Sequence, residues 1–112
     1  MDLETTEFVN VIKEWIDDKQ GVNTEVIDVS DITSLADVFI ITSGSSDRAV
    51  QAIADNIEEK AKEIGHIIVH KEGRQGGRWI LLDFNNIIVH VFHQEEREFY
   101  NLERLWKDGK FL

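Results

Sequence analysis

Apolar positions between Leu3 and about Lys19 fall at Phe8, Val11, Ile12, Trp15 and Ile16. That spacing predicts a helix with one buried stripe, and Gly21 is placed to end it. Glu25-Val26-Ile27-Asp28-Val29 alternates and reads as a strand with one wet face. Asp37 then leads into the continuous run Val38-Phe39-Ile40-Ile41, the pattern of a strand buried on both faces. Gly44-Ser45-Ser46-Asp47 reads as a strand-to-helix turn, with Ser45 or Ser46 as cap and Asp47 in the first turn. The helix it opens is predicted to reach about Ile64, with Val50, Ile53, Ile57, Ala61 and Ile64 on one face and Gly65 as its stop.

His66 to His70 predicts a short strand around Ile67, Ile68 and Val69, and Glu72 to Gly77 a flexible glycine-rich loop. Arg78 to Phe84 and Ile87 to Phe92 predict two strands joined at Asn85-Asn86, a good tight-hairpin turn. Glu95 to Trp106 reads as one amphipathic helix carrying Phe99, Leu102, Leu105 and Trp106. Helix, two strands, helix, three strands and helix together predict an α/β fold: one domain over residues 1–112, with a mixed sheet of about five strands flanked by helices. No proline, repeat or low-complexity stretch marks a linker.

The 112-residue length allows one core, and 42% apolar content suffices to fill it. No apolar stretch is longer than the four residues of Val38 to Ile41, far short of a membrane span, so no membrane association is expected. Met1 to Glu7 is acidic and polar, unlike a signal or transit peptide, and cysteine is absent. A cytoplasmic location follows as the expectation. The net charge of −10 is uneven: residues 1–56 hold 12 acidic against 3 basic side chains, residues 57–112 hold 10 against 9. Such a chain repels phosphate backbones, so direct nucleic-acid binding is not expected and a basic protein partner is favoured.

Motifs for catalysis are weak. Ser43-Gly44-Ser45-Ser46 follows a strand and could cradle an anion, but it lacks the lysine of a P-loop, and no Asp-x-Asp pair sits on a strand to hold magnesium. A capped helix start accounts for it better. Asp28, Asp31, Asp37 and Asp83 are candidates for a divalent-cation site only if strand ends converge; solvated loop acids are the ordinary outcome. His66, His70, His90 and His93 form no metal motif, so neither metal nor cofactor is expected. His90 stands alone between Val89 and Val91, as a bonded core histidine or a residue of an open sheet face.

Trp79 is the most informative residue. Trp79, Leu81 and Asp83 share one strand face while Ile80, Leu82 and Phe84 share the other. One face must pack on helices; the other either carries an aromatic-aliphatic contact surface or is buried too.

The stretches Gly77-Arg78-Trp79-Ile80-Leu81-Leu82-Asp83-Phe84, Ile88-Val89-His90-Val91-Phe92-His93 and Arg97-Glu98-Phe99-Tyr100-Asn101-Leu102-Glu103-Arg104-Leu105-Trp106 closely resemble the Iojap, or ribosomal silencing factor (RsfS), family. So do Asp28-Val29-Ser30, Ala36 to Ile41, Ser43 to Ser46, and Arg48 with Val50 to Ala54, a likeness spanning about residues 5 to 107. The resemblance implies a nucleotidyltransferase-like sheet without transferase activity, so not an enzyme. It also implies binding to the large ribosomal subunit through its fourteenth protein, a basic protein, where the small subunit docks. The bound factor would block subunit joining and repress translation; a homodimer is implied for the free protein. Family pattern and strand parity nominate Trp79, Leu81, Asp83, His90 and Tyr100 for the contact surface, with Asp37 and Arg97 on its polar rim. The rival readings are a nucleotide-binding or transferase-like enzyme using the Gly44 to Ser46 turn, and a dimeric adaptor using the Trp79 face on itself.

Overall fold

The computed structural model describes residues 1–73 and 76–112. In chain order the elements are α1 (Leu3–Asp18), β1 (Val22–Asp28), β2 (Val38–Gly44), α2 (Asp47–Glu63), β3 (His70–Glu72), β4 (Trp79–Asp83), β5 (Ile87–His93), α3 (Gln94–Tyr100), α4 (Leu102–Leu105) and β6 (Lys110–Phe111). The strands form one mixed sheet in the order β3-β4-β5-β2-β1-β6. β2 and β5 run parallel at its centre, and the other pairings are antiparallel.

Local chemistry sets the helix ends. Asp2 accepts from the Thr5 amide at 2.7 Å to cap α1, and Ser46 accepts from the Ala49 amide at 3.0 Å to cap α2. Gln20 takes the left-handed conformation after α1, while Gly21 is required by packing, since a Cβ there would meet Ile16 at 2.2 Å. Gly65 stops α2 at a φ of 89°, as its position predicted.

One side of the sheet is sealed. Phe8, Val9, Ile12 and Ile16 of α1 and Val50, Ile53, Ala54, Ile57 and Ala61 of α2 bury Val26, Val38, Ile40, Ile80, Leu82, Val89 and Val91. Asn56 donates to the Trp15 carbonyl at 2.9 Å and Asn86 to Thr5 Oγ1 at 3.0 Å, tying α1 to α2 and to the hairpin turn. The opposite side gathers Ile27, Val29, Phe39, Ile41, Ile88 and Phe92 under Leu102, with Trp79, Leu81 and Trp106 only half-buried around them.

The α/β class and mixed sheet stand as the pattern predicted, with three differences. A sixth strand, β6, pairs with β1 through Lys110 and Phe111, too short a segment to show periodicity. The strand expected at His66 to His70 is not there: residues 66–69 are irregular, Ile67 and Val69 are exposed, and pairing with β4 begins only at His70. A β-branched run read as a strand because nothing in it reveals the lack of a pairing partner. The single helix expected from Glu95 to Trp106 is broken at Asn101, which adopts φ 49° and ψ 58°. The predicted loop Glu72 to Gly77 includes Arg74 and Gln75, which lie outside the described residues.

Candidate functional site: a half-open sheet face

Strand register decides which nominated residues meet. Trp79 pairs with Phe92, Leu81 with His90 and Asp83 with Ile88 across β4 and β5, all on the less covered side. α3 buries none of its own residues, and α4 buries only Leu102. The break at Asn101 is the reason: one continuous helix would turn Phe99, Leu102, Leu105 and Trp106 inward together, whereas the left-handed residue keeps Leu102 in and leaves Phe99 80% and Leu105 71% exposed. Tyr100 turns its ring toward the strands, 4.8 Å from Trp79 and 6.5 Å from Phe92 by ring centroids, and Phe99 packs edge-on against Tyr100 at 5.2 Å. The outcome is a belt from Leu81 through Trp79 and Tyr100 to Phe99, half-buried at one end and open at the other.

Beneath the belt lies His90, only 6% exposed, its Nδ1 accepting from Trp79 Nε1 at 3.2 Å. Burial alone pushes its pKa from 6.5 down to about 4, so the ring is neutral near pH 7. His90 is therefore a floor of this face, with Trp79 above it. Arg97 is tethered: its side chain is 11% exposed and donates to the Val22 carbonyl at 3.1 Å and Ser43 Oγ at 3.2 Å. Its Nε lies 3.5 Å from Glu103 Oε1, an electrostatic contact without hydrogen-bond geometry. These bonds dock α3 on β1 and β2. Asp83 is half-buried and accepts from the Asn85 amide at 2.7 Å, organising the hairpin turn. Asp37 is exposed beside Asn85 and Asn86, so both aspartates lie at one end of the strands while Arg97 lies at the other. The structure thus brings Trp79, Leu81, His90 and Tyr100 together, with Asp83 and Asp37 at one margin.

Phe99 and Leu105 were missed as surface candidates because helical spacing placed both in the buried stripe. Asn101, tolerant of left-handed backbone and poor inside a helix, was the available signal.

The remaining chemical candidates have structural employment. Gly44 lies so close to α2 that a Cβ would meet the Val50 nitrogen at 2.9 Å, and Ser46 is the helix cap. Arg78 donates to Glu95 and Glu96 and lies 3.5 Å from Asp47, pairings that raise its pKa with Glu95 as the largest cause. His66 stacks on Phe8 at 3.9 Å, His70 lies 3.0 Å from Glu72, and His93 caps α3 by accepting from the Glu95 amide. Among the described residues no group of three or more His, Asp or Glu is placed to hold a metal, so Asp28, Asp31, Asp37 and Asp83 form no such group. No helix among those residues is long and apolar enough to cross a membrane. The exposed acids of α1, among them Glu4, Glu7, Glu14, Asp17 and Asp18, lie on the sealed side, away from Trp79.

Fold and surface together define an α/β protein with one closed and one half-open sheet face. Comparison with known proteins gives its kin. The family model for "Ribosomal silencing factor during starvation" matches residues 2–111, and the chain belongs to that family. It is 45% identical to the ribosomal silencing factor RsfS of Bacillus subtilis over 83% of this chain and 79% of that one, and 38% identical to that of Halalkalibacterium halodurans over 96% and 92%. A more distant mouse relative, named mitochondrial assembly of ribosomal large subunit protein 1, is 32% identical over 72% of this chain and 37% of its own length. A crystal structure of a Chromobacterium violaceum protein, 34% identical, superposes with a TM-score of 0.89 over 96% of this chain and 88% of its own.

Proposed function

We propose that residues 1–112 act as one domain that binds the large ribosomal subunit through its fourteenth protein and sterically blocks joining of the small subunit, repressing translation in the cytoplasm. The observation that carries the reading is the half-open belt of Leu81, Trp79, Tyr100 and Phe99, on a chain whose relatives are named ribosomal silencing factors. Aromatic anchors in a partly desolvated setting, with polar groups at the margin, are what protein interfaces use for lasting contact. A basic partner suits the net charge of −10, and because the α1 acids sit on the far side they steer approach rather than fix register. The contact set is Trp79, Leu81 and Tyr100, extended by Phe99, with Asp83 and Asp37 at the margin and His90 and Arg97 acting from beneath. Self-association of the free protein would use the same unpartnered face and so compete with docking.

Sedimentation of purified subunits with and without the protein, at moderate salt, tests this. Comigration with free large subunits and fewer joined ribosomes is the expected result. Comigration with neither subunit and unchanged joining would remove the reading, and nucleotide binding with magnesium would then be the property to measure.

A further inference from the structure

Trp79 and His90 are diagonal neighbours across β4 and β5, and the indole donates to His90 Nδ1 at 3.2 Å. Only an unprotonated Nδ1 can accept, so the imidazole's single proton must sit on Nε2. Among the described residues that nitrogen, which is buried, has no hydrogen-bond partner. The rings packed about the imidazole, by centroid distance, are Phe39, edge-on at 5.3 Å, Trp79 at 6.0 Å and Phe92, stacked at 6.2 Å. A phenyl ring would suit these surroundings and remove the unpartnered Nε2–H, at the cost of the indole's acceptor, so packing alone does not explain a histidine here. What histidine supplies that phenylalanine cannot is one acceptor, aimed at the indole of the half-exposed aromatic at the centre of the belt.

We propose that His90 is a positioning residue: its bare Nδ1 holds the Trp79 indole in one orientation, so that the docking face meets its partner already formed. The importance of the clamp rests on the docking role proposed for Trp79, while the clamp itself is a property of the free protein. A fixed indole gives up less side-chain freedom on binding, and such preorganisation raises affinity without adding a contact. Because burial keeps the imidazole neutral near pH 7, the clamp is constitutive there.

Two variants separate positioning from packing. His90→Phe fills the space without an acceptor, and His90→Asn keeps an acceptor at the place of Nδ1 while giving up ring volume. Nitrogen NMR of the wild-type protein should show His90 Nδ1 bare and Nε2 protonated, with the Trp79 indole proton exchanging slowly. In His90→Phe that proton should exchange at least tenfold faster in a folded protein; in His90→Asn it should stay protected although the protein is less stable. Docking to free large subunits should weaken roughly fivefold in His90→Phe, the worth of one neutral hydrogen bond, and stay within about twofold in His90→Asn. A proton on Nδ1, or an indole exchange rate unchanged in His90→Phe, overturns the clamp. An NMR signature as expected with docking unchanged in His90→Phe overturns its positioning role. Failure of wild-type protein to dock would sink the docking reading instead, and the NMR results would still decide the clamp.

Discussion

The two sides of the sheet start from the same alternating strands and finish differently. On one side two long helices close over β1, β2, β4 and β5, and residues such as Ile53 and Ile57 lose all contact with water. On the other a helix broken after seven residues covers only part of the strands, and an indole, a leucine and a phenol are left at the surface. The first arrangement is what stability alone selects. The second forgoes burial that a straight α3 would have gained, and soluble proteins usually leave such an apolar patch open for a partner.

Substitutions on the two sides should therefore separate stability from docking. The largest effect falls on the sealed side, where Ile57→Ala should cost ~2–5 kcal/mol of folding stability by chemical denaturation, because α2 cannot collapse into the space. Its folded fraction should dock normally. Next comes the histidine beneath the open face. Above pH 6.5 His90 is neutral in both folded and unfolded chains; between 6.5 and about 4 only the unfolded chain takes up a proton. Stability present above pH 6.5 should thus decline by about 3 kcal/mol on acidification to pH 4, and His90→Phe should flatten that part of the profile.

The converse of Ile57→Ala is Trp79→Ala, expected to cost about 2 kcal/mol or more of docking free energy as a central anchor. A fourth, smaller effect is at the hinge. Asn101→Ala places an ordinary residue at φ 49° and removes the cap on the Arg104 amide, so it should lose ~1–2 kcal/mol of stability, and Asn101→Gly less. Smallest is charge: Glu7→Gln with Glu14→Gln on the sealed side should slow association a few-fold at low salt and leave dissociation unchanged, measured by stopped flow.

How legible each side was in the sequence follows the same division. The sealed side was readable because burial leaves a period: Phe8, Ile12 and Ile16, or Val50, Ile53 and Ile57, announce both the helix and its inner face. Strand parity likewise separated Trp79 and Leu81 from Ile80 and Leu82. What parity could not tell was how far the Trp79 side is covered, since that depends on the backbone of Asn101 and not on any hydrophobic pattern. Phe99 and Leu105, on helical spacing, belonged inside; one left-handed residue placed them outside. Ile67 and Val69 misled in another way, because β-branched composition speaks for a strand without supplying the neighbour that makes one. His90 as a lone polar residue in an apolar strand was visible, but its bond to Trp79 required the register of β4 on β5.

The most direct test is the affinity of Trp79→Ala for free large ribosomal subunits beside that of the wild type, both shown to be folded by circular dichroism. The half-open face as docking surface predicts at least a thirtyfold weaker affinity, the equivalent of about 2 kcal/mol, with subunit joining restored to match. Equal affinities in two folded proteins would place the docking surface elsewhere on the molecule.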